Sequence, residues 1–144
     1  MYFKKILIPF DGSKFSKKAI KVAMDLAKKY KASITVLNCI SGFYTGRWYV
    51  DNRIADEQFQ KEYQKIKNEL KKIKSNAEHE GVKTSIKISE TPKIVNKIAE
   101  FARKDDVDLI IMGSHGRTGF DKMILGSKAE GTLQRVKCPV MVIK

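Results

Sequence analysis

The chain of 144 residues has only two cysteines, two histidines and one tryptophan, and its 29 Lys and Arg outnumber its 16 Asp and Glu. Each shortage excludes a class of protein. Cys39 and Cys138 fall in no CxxC pattern and sit in or beside the apolar runs "ITVLNCI" and "CPVMVI", so they read as buried reduced thiols rather than a disulfide framework. His79 and His115 have no Cys, His or carboxylate neighbour at metal-ligand spacing, and no metal site is assigned. No apolar run approaches the roughly 20 residues of a membrane span, and "MYFKKILIPFDG" is too short and too soon interrupted for a signal peptide. The expected location is the cytoplasm. The turn "PFDGSKFS" lacks GxGxxG, which disfavours a dehydrogenase, and no acidic cluster of the kind a phospho-receiver needs is visible around Asp11.

The deficit of acid leaves a net charge of +13, distributed unevenly: +8 over residues 1–50, zero over 51–80 and +5 over 81–144. Such an excess either keeps a protein soluble or draws it to phosphates and nucleic acid. Lys14, Lys17, Lys18, Lys21, Lys28 and Lys29 fall largely on the polar face of one predicted helix, with no aromatic stacking platform beside them. A solvated lysine coat is therefore the favoured reading.

What is present is a regular alternation. "KKILIPF" predicts a buried parallel strand. A helix follows, capped by Ser13 or Ser16, with Phe15, Ala19, Val22, Ala23, Leu26, Ala27 and Tyr30 on one face. "ASITVLNCI" is a second strand covered on both sides. "SGFYTGRWYVDN" reads as a loop or lid. From about Arg53 to Glu80, Phe59, Tyr63, Ile66, Leu70, Ile73 and Ala77 step by three and four along one long amphipathic helix, whose stripe suits a sheet more often than a helical partner. "VKTSIKIS" predicts a more exposed edge strand, "PKIVNKIAEFARK" a helix, "VDLIIM" a central strand, Ser127 to Val136 a helix and "PVMVIK" a last strand. One domain, residues 1–144, follows: α/β, with an open twisted five-stranded parallel sheet and helices on both faces, and with the order 3-2-1-4-5 if the first and fourth strands are neighbours.

In such sheets ligands bind beyond the carboxyl ends of the strands, where the winding reverses. With that order, the loops "PFDGS" and "MGSHGRTG" border one cleft. Gly113 there lets a backbone approach a ligand, Gly116 permits a positive φ, and Gly126-Ser127 opens a helix whose first N–H groups are unpaired. A single glycine is more often just a turn. The full set points to phosphate, with the Ser127 hydroxyl and the N–H groups near Gly116, Gly126, Ser127 and Lys128 as donors.

Gly113, two residues, Gly116, nine residues, then Gly126-Ser127 resembles the nucleotide-binding signature of the universal stress protein family, in its ATP-binding branch. "ILIPFDGS", "VDLIIMGSHGRTG" and "ILGSKAEGTLQRVKCPVMVIK" extend the resemblance over essentially the whole chain. It implies a Rossmann-like fold of the adenine nucleotide alpha hydrolase-like type. It also implies ATP as ligand, with magnesium or manganese held mainly by the phosphates. By the same resemblance Pro9, Phe10 and Asp11 contact adenine and ribose; Cys39, where a valine is usual, lines the adenine pocket with Ile40; and Met112 is another apolar wall. Gly113, His115 and Gly116 match the ribose and first phosphate contacts, and Gly126, Ser127 and Lys128 the phosphate cradle. Lys128 departs from the usual small apolar residue, either adding a phosphate partner or pointing outward, with outward favoured. Gly131 and the "SETP" turn are further departures. Asp11 has a second reading as a helix cap, and His115 as a plain loop residue.

A Walker-type lysine and a magnesium-holding aspartate are missing, which favours tight binding with slow or no turnover. The leading expectation is an ATP-dependent regulatory module with an unidentified protein partner. A weak ATPase or nucleotidyl-transfer enzyme and a basic nucleic-acid adaptor are the alternatives. The apolar final strand Val140–Ile143, at a sheet edge, predicts a homodimer by antiparallel pairing, as the resemblance also implies.

Overall fold

The computed structural model describes residues 2–40, 52–117 and 124–144. Nine elements alternate: β1 (Lys5–Pro9), α1 (Lys14–Tyr30), β2 (Ser33–Ile40), α2 (Asn52–His79), β3 (Thr84–Glu90), α3 (Ile94–Lys104), β4 (Leu109–Gly113), α4 (Ser127–Arg135) and β5 (Val140–Ile143). The strands form one sheet in the order β3-β2-β1-β4-β5, and every neighbouring pair is parallel. Order and alternation agree with the sequence reading. The expected loop or lid at 41–52 lies outside the described residues, apart from Asn52, which opens α2.

Two apolar layers explain why the inner strands are continuous hydrophobic runs. Ile6 and Ile8 of β1 pack with Ala19, Ala23 and Ala27 of α1 and Ile66, Leu70 and Ala77 of α2 on one face. Leu7 packs with Ile110 and Met112 of β4, Ile98 and Ala102 of α3 and Ala129 of α4 on the other. Successive strand residues point to opposite faces, so a strand covered on both must be apolar throughout. The stripe of α2 thus serves the sheet. The six lysines of α1 face solvent, as a solvated coat requires.

Local signals set the helix that leads into the cleft. Ser13 caps α1, its Oγ accepting from the Ser16 amide at 3.2 Å. Such a cap occupies one of the otherwise unpaired first-turn donors. Lys31, in the left-handed conformation at φ 54°, terminates the helix, and its amide donates to the Ala27 carbonyl. Asp108 Oδ2 accepts from the amides of Lys4 and Lys5, both at 2.8 Å, and so joins the base of β4 to that of β1. Asn38 Nδ2 donates to the Phe10 carbonyl at 2.7 Å and holds the chain as it leaves β1. Among the described residues no helix is long and apolar enough to cross a membrane.

Candidate functional site

The winding reverses between β1 and β4, and there the carboxyl ends of the strands open into a cavity of about 250 Å³. Its apolar wall comes from both sides of that reversal: Phe10 after β1, Leu37 and Cys39 of β2, Ile94 and Ile98 of α3, and Met112 of β4. Its polar rim runs from Asp11 and Ser16 through Ser114, His115 and Gly116 to Gly126, Ser127 and Lys128. Of the twelve residues singled out from the sequence, eleven line this cavity, and Ile40 does not. Ile40 lies beyond Cys39 at the end of β2, where strand alternation turns it away from the Leu37–Cys39 face.

Asp11 is not the cap of α1; Ser13 is. Its Oδ1 accepts from the Ser13 amide at 2.9 Å. Its Oδ2 reaches toward Gly116, 2.9 Å from where a Cβ on that residue would stand. Burial pushes the Asp11 carboxyl up, but hydrogen bonds from Ser13 and Ser16, with the charge of Lys128, outweigh it and hold the group below its ordinary value. It is an anion aimed across the mouth of the cleft. Burial pushes the Cys39 thiol up to about 11 against the pull of Lys97 and Lys128, so it lines the wall as a neutral thiol. Both cysteines are free, and both are half-buried rather than fully enclosed.

The glycines act differently from the sequence expectation. A Cβ on Gly113 would fall 2.6 Å from Phe15 Cβ and 3.0 Å from the Phe15 carbonyl carbon, so a close approach to α1 already requires glycine there. Gly116 does not have a positive φ; the described glycines that do are Gly12 and Gly81. Smallness is what Gly116 supplies, because a side chain would strike the Asp11 carboxylate. The Gly126 amide donates to the Ser114 carbonyl at 2.7 Å and is not available as a phosphate donor. The first bond within α4 runs from the Glu130 amide to the Gly126 carbonyl. The amides of Ser127, Lys128 and Ala129 therefore have no acceptor inside the helix, and these three residues line the cavity.

Lys128 also departs from expectation. It is solvent-exposed, but its side chain lines the cavity instead of projecting away, with Nζ 4.0 Å from the Cβ position above Gly116. Gly131 is accounted for by packing: a Cβ there would meet Val95 Cγ2 of α3 at 3.2 Å. His115 places Nδ1 2.9 Å from the Ser114 hydroxyl, and its ring lies 5.4 Å from that of Phe15. Six lining residues were not singled out from the sequence: Ser16, Leu37, Ile94, Ile98, Ser114 and Ala129. Leu37, Ile98 and Ala129 also belong to the core, so their periodicity carries no separate signal.

The profile of the Universal stress protein family matches residues 2–144. The chain belongs to the universal stress protein family. Universal stress protein MJ0531 of Methanocaldococcus jannaschii is 37% identical, over 99% of this chain and 82% of its own length. Among solved structures, the protein MJ0577 superposes with a TM-score of 0.85 at 29% identity, covering 100% of this chain and 97% of that one. The universal stress protein of Archaeoglobus fulgidus in complex with dAMP superposes with a TM-score of 0.70 at 20% identity, with complete coverage of both chains. The five-stranded order and the two helical layers are those of the universal stress protein fold. Among the described residues no group of three or more His, Cys, Asp and Glu is arranged to hold a metal ion.

Proposed function

We propose that the chain binds ATP in this cleft and acts as a nucleotide-dependent regulatory module with slow or no hydrolysis. The observation that carries the reading is the joining of three chemistries at one strand reversal. An apolar slot between Leu37, Met112 and Ile98 suits a purine. The Asp11 carboxylate suits ribose hydroxyls. The open first turn of α4, with the Ser127 hydroxyl, suits phosphate oxygens. The dAMP complex of a structural relative supports an adenine nucleotide as the ligand class. The lone carboxylate among the described lining residues has one oxygen committed to Ser13, so it suits positioning better than a metal clamp. Magnesium or manganese would then arrive on the phosphates.

Titration of the purified protein with ATP by calorimetry tests the reading, together with mass spectrometry of small molecules released from fresh preparations. Tight binding of ATP with slow or no turnover is expected. Absence of heat and of any bound adenine nucleotide would overturn it.

The same proposal includes a cytoplasmic homodimer. β5 is the outer strand beside β4, its edge is apolar, and Met141 stands 36% exposed on it. Antiparallel pairing of Val140–Ile143 with a second copy would cover that edge. A mass of one chain by light scattering at micromolar concentration would remove the dimer from the proposal.

A further inference from the structure

We infer that Lys128 selects for the number of phosphates on the nucleotide, so that this cleft prefers a nucleoside polyphosphate over a monophosphate. The inference rests on the nucleotide reading above and deepens it. Lys128 is the one lysine or arginine among the described residues that line the cavity. It occupies the second position of α4, where the helix already presents amides and a partial positive charge. It faces Asp11 across Gly116: one point above Gly116 lies 2.9 Å from Asp11 Oδ2 and 4.0 Å from Lys128 Nζ. Its charge bears on both Asp11 and the Cys39 thiol.

The asymmetry of these groups gives the selectivity. Without a ligand, Lys128 offsets the Asp11 carboxylate, and the described lining of the cleft holds one charge of each sign, with the Arg117 guanidinium outside that lining, beside Gly12. A nucleoside that engages Asp11 through its hydroxyls leaves that balance intact. A chain of phosphates reaching the α4 amides brings several negative charges beside Asp11, and among the described lining residues Lys128 is the side chain placed to offset them. An ammonium on a flexible stem serves here as a point charge, and its three donors can follow the outer phosphates. Because it is exposed, its effect depends on salt, whereas the α4 amides act over hydrogen-bond distance.

The experiment compares ATP, AMP and adenosine by calorimetry on the wild-type chain, Lys128→Gln and Lys128→Arg, at 50 and 500 mM KCl. The wild-type ratio of ATP to AMP affinity is expected to fall about tenfold or more in Lys128→Gln at low salt. It should remain within threefold in Lys128→Arg. High salt should narrow the wild-type ratio and leave that of Lys128→Gln nearly unchanged. A Lys128→Gln ratio equal to wild type at both salts overturns the role of Lys128 while leaving the ATP site standing. Failure of the wild-type chain to bind ATP, AMP and adenosine overturns both.

Discussion

The Gly126 amide and the Ser114 carbonyl, 2.7 Å apart, tie the start of α4 to the residue that follows β4. This bond sets the distance between the two halves of the polar rim. A Cβ on Gly126 would stand 3.0 Å from that same carbonyl oxygen and 3.3 Å from His115 Cα.

Gly126→Asp should therefore abolish ATP binding while the sheet remains folded. The new side chain forces the Ser114–His115 backbone aside and places a negative charge at the helix start. Gly126→Ala should produce a smaller loss, because the backbone needs to move only a few tenths of an ångström. Calorimetry with ATP, beside far-UV circular dichroism, checks both; unchanged affinity in Gly126→Asp would refute the site.

At Gly113 the consequence is stability. With 2.6 Å to Phe15 Cβ, an alanine cannot be accommodated unless α1 moves off β4. Gly113→Ala should cost about 1–3 kcal/mol, the usual effect of overpacking, read from the urea midpoint at unchanged slope. A midpoint equal to wild type would show that α1 yields freely.

Asp11 predicts a pH dependence. Its carboxyl lies below its ordinary value in the folded chain, so the contribution to stability is fully present above the unfolded value. It is lost as pH falls through the folded one. The stability difference between wild type and Asp11→Asn should therefore be constant from pH 7 to about pH 5 and shrink below about pH 4. Urea titrations across that range would reveal a flat difference if the Ser13 bond were not tied to the charge.

Cys39, with its thiol pushed up to about 11, is only about one part in a thousand thiolate at pH 8. Alkylation should be slow at that pH and accelerate about tenfold per unit up to pH 10, and saturating ATP should protect the residue. Peptide mapping separates it from Cys138. Fast labelling at pH 7 that ATP leaves unchanged would contradict the placement of Cys39 in the wall.

The alternation of strands and helices and the two loops that border the cleft were legible because each depends on local pattern: apolar runs, helical spacing, a capping serine and glycines at fixed separations; the residues of the rim came with the family resemblance those glycines carry. The purposes of the glycines were not, because they depend on what arrives from elsewhere in the chain. Gly113 meets Phe15 almost a hundred positions away, and Gly116 meets the Asp11 carboxylate. The commitment of the Gly126 amide to Ser114 is likewise a closure of tertiary structure that no spacing encodes. Ser16 and Ser114 join the rim as small buried residues, a chemistry too common in turns to announce itself. The direction of Lys128 is set against a neighbouring charge, Asp11, supplied by the loop after β1.

The position of β1 has a consequence for synthesis. Ile6 pairs on one side with Ile34 and on the other with Leu109, so β1 is completed by a strand made about a hundred residues later. At roughly 5–20 residues per second, β1 leaves the ribosome roughly 5–20 seconds before β4 exists. Through that interval one edge of an apolar strand is bare, and half of the cleft is absent. The chain should thus complete its central sheet late and depend on chaperones or on speed of closure in that window, whatever its stability once folded.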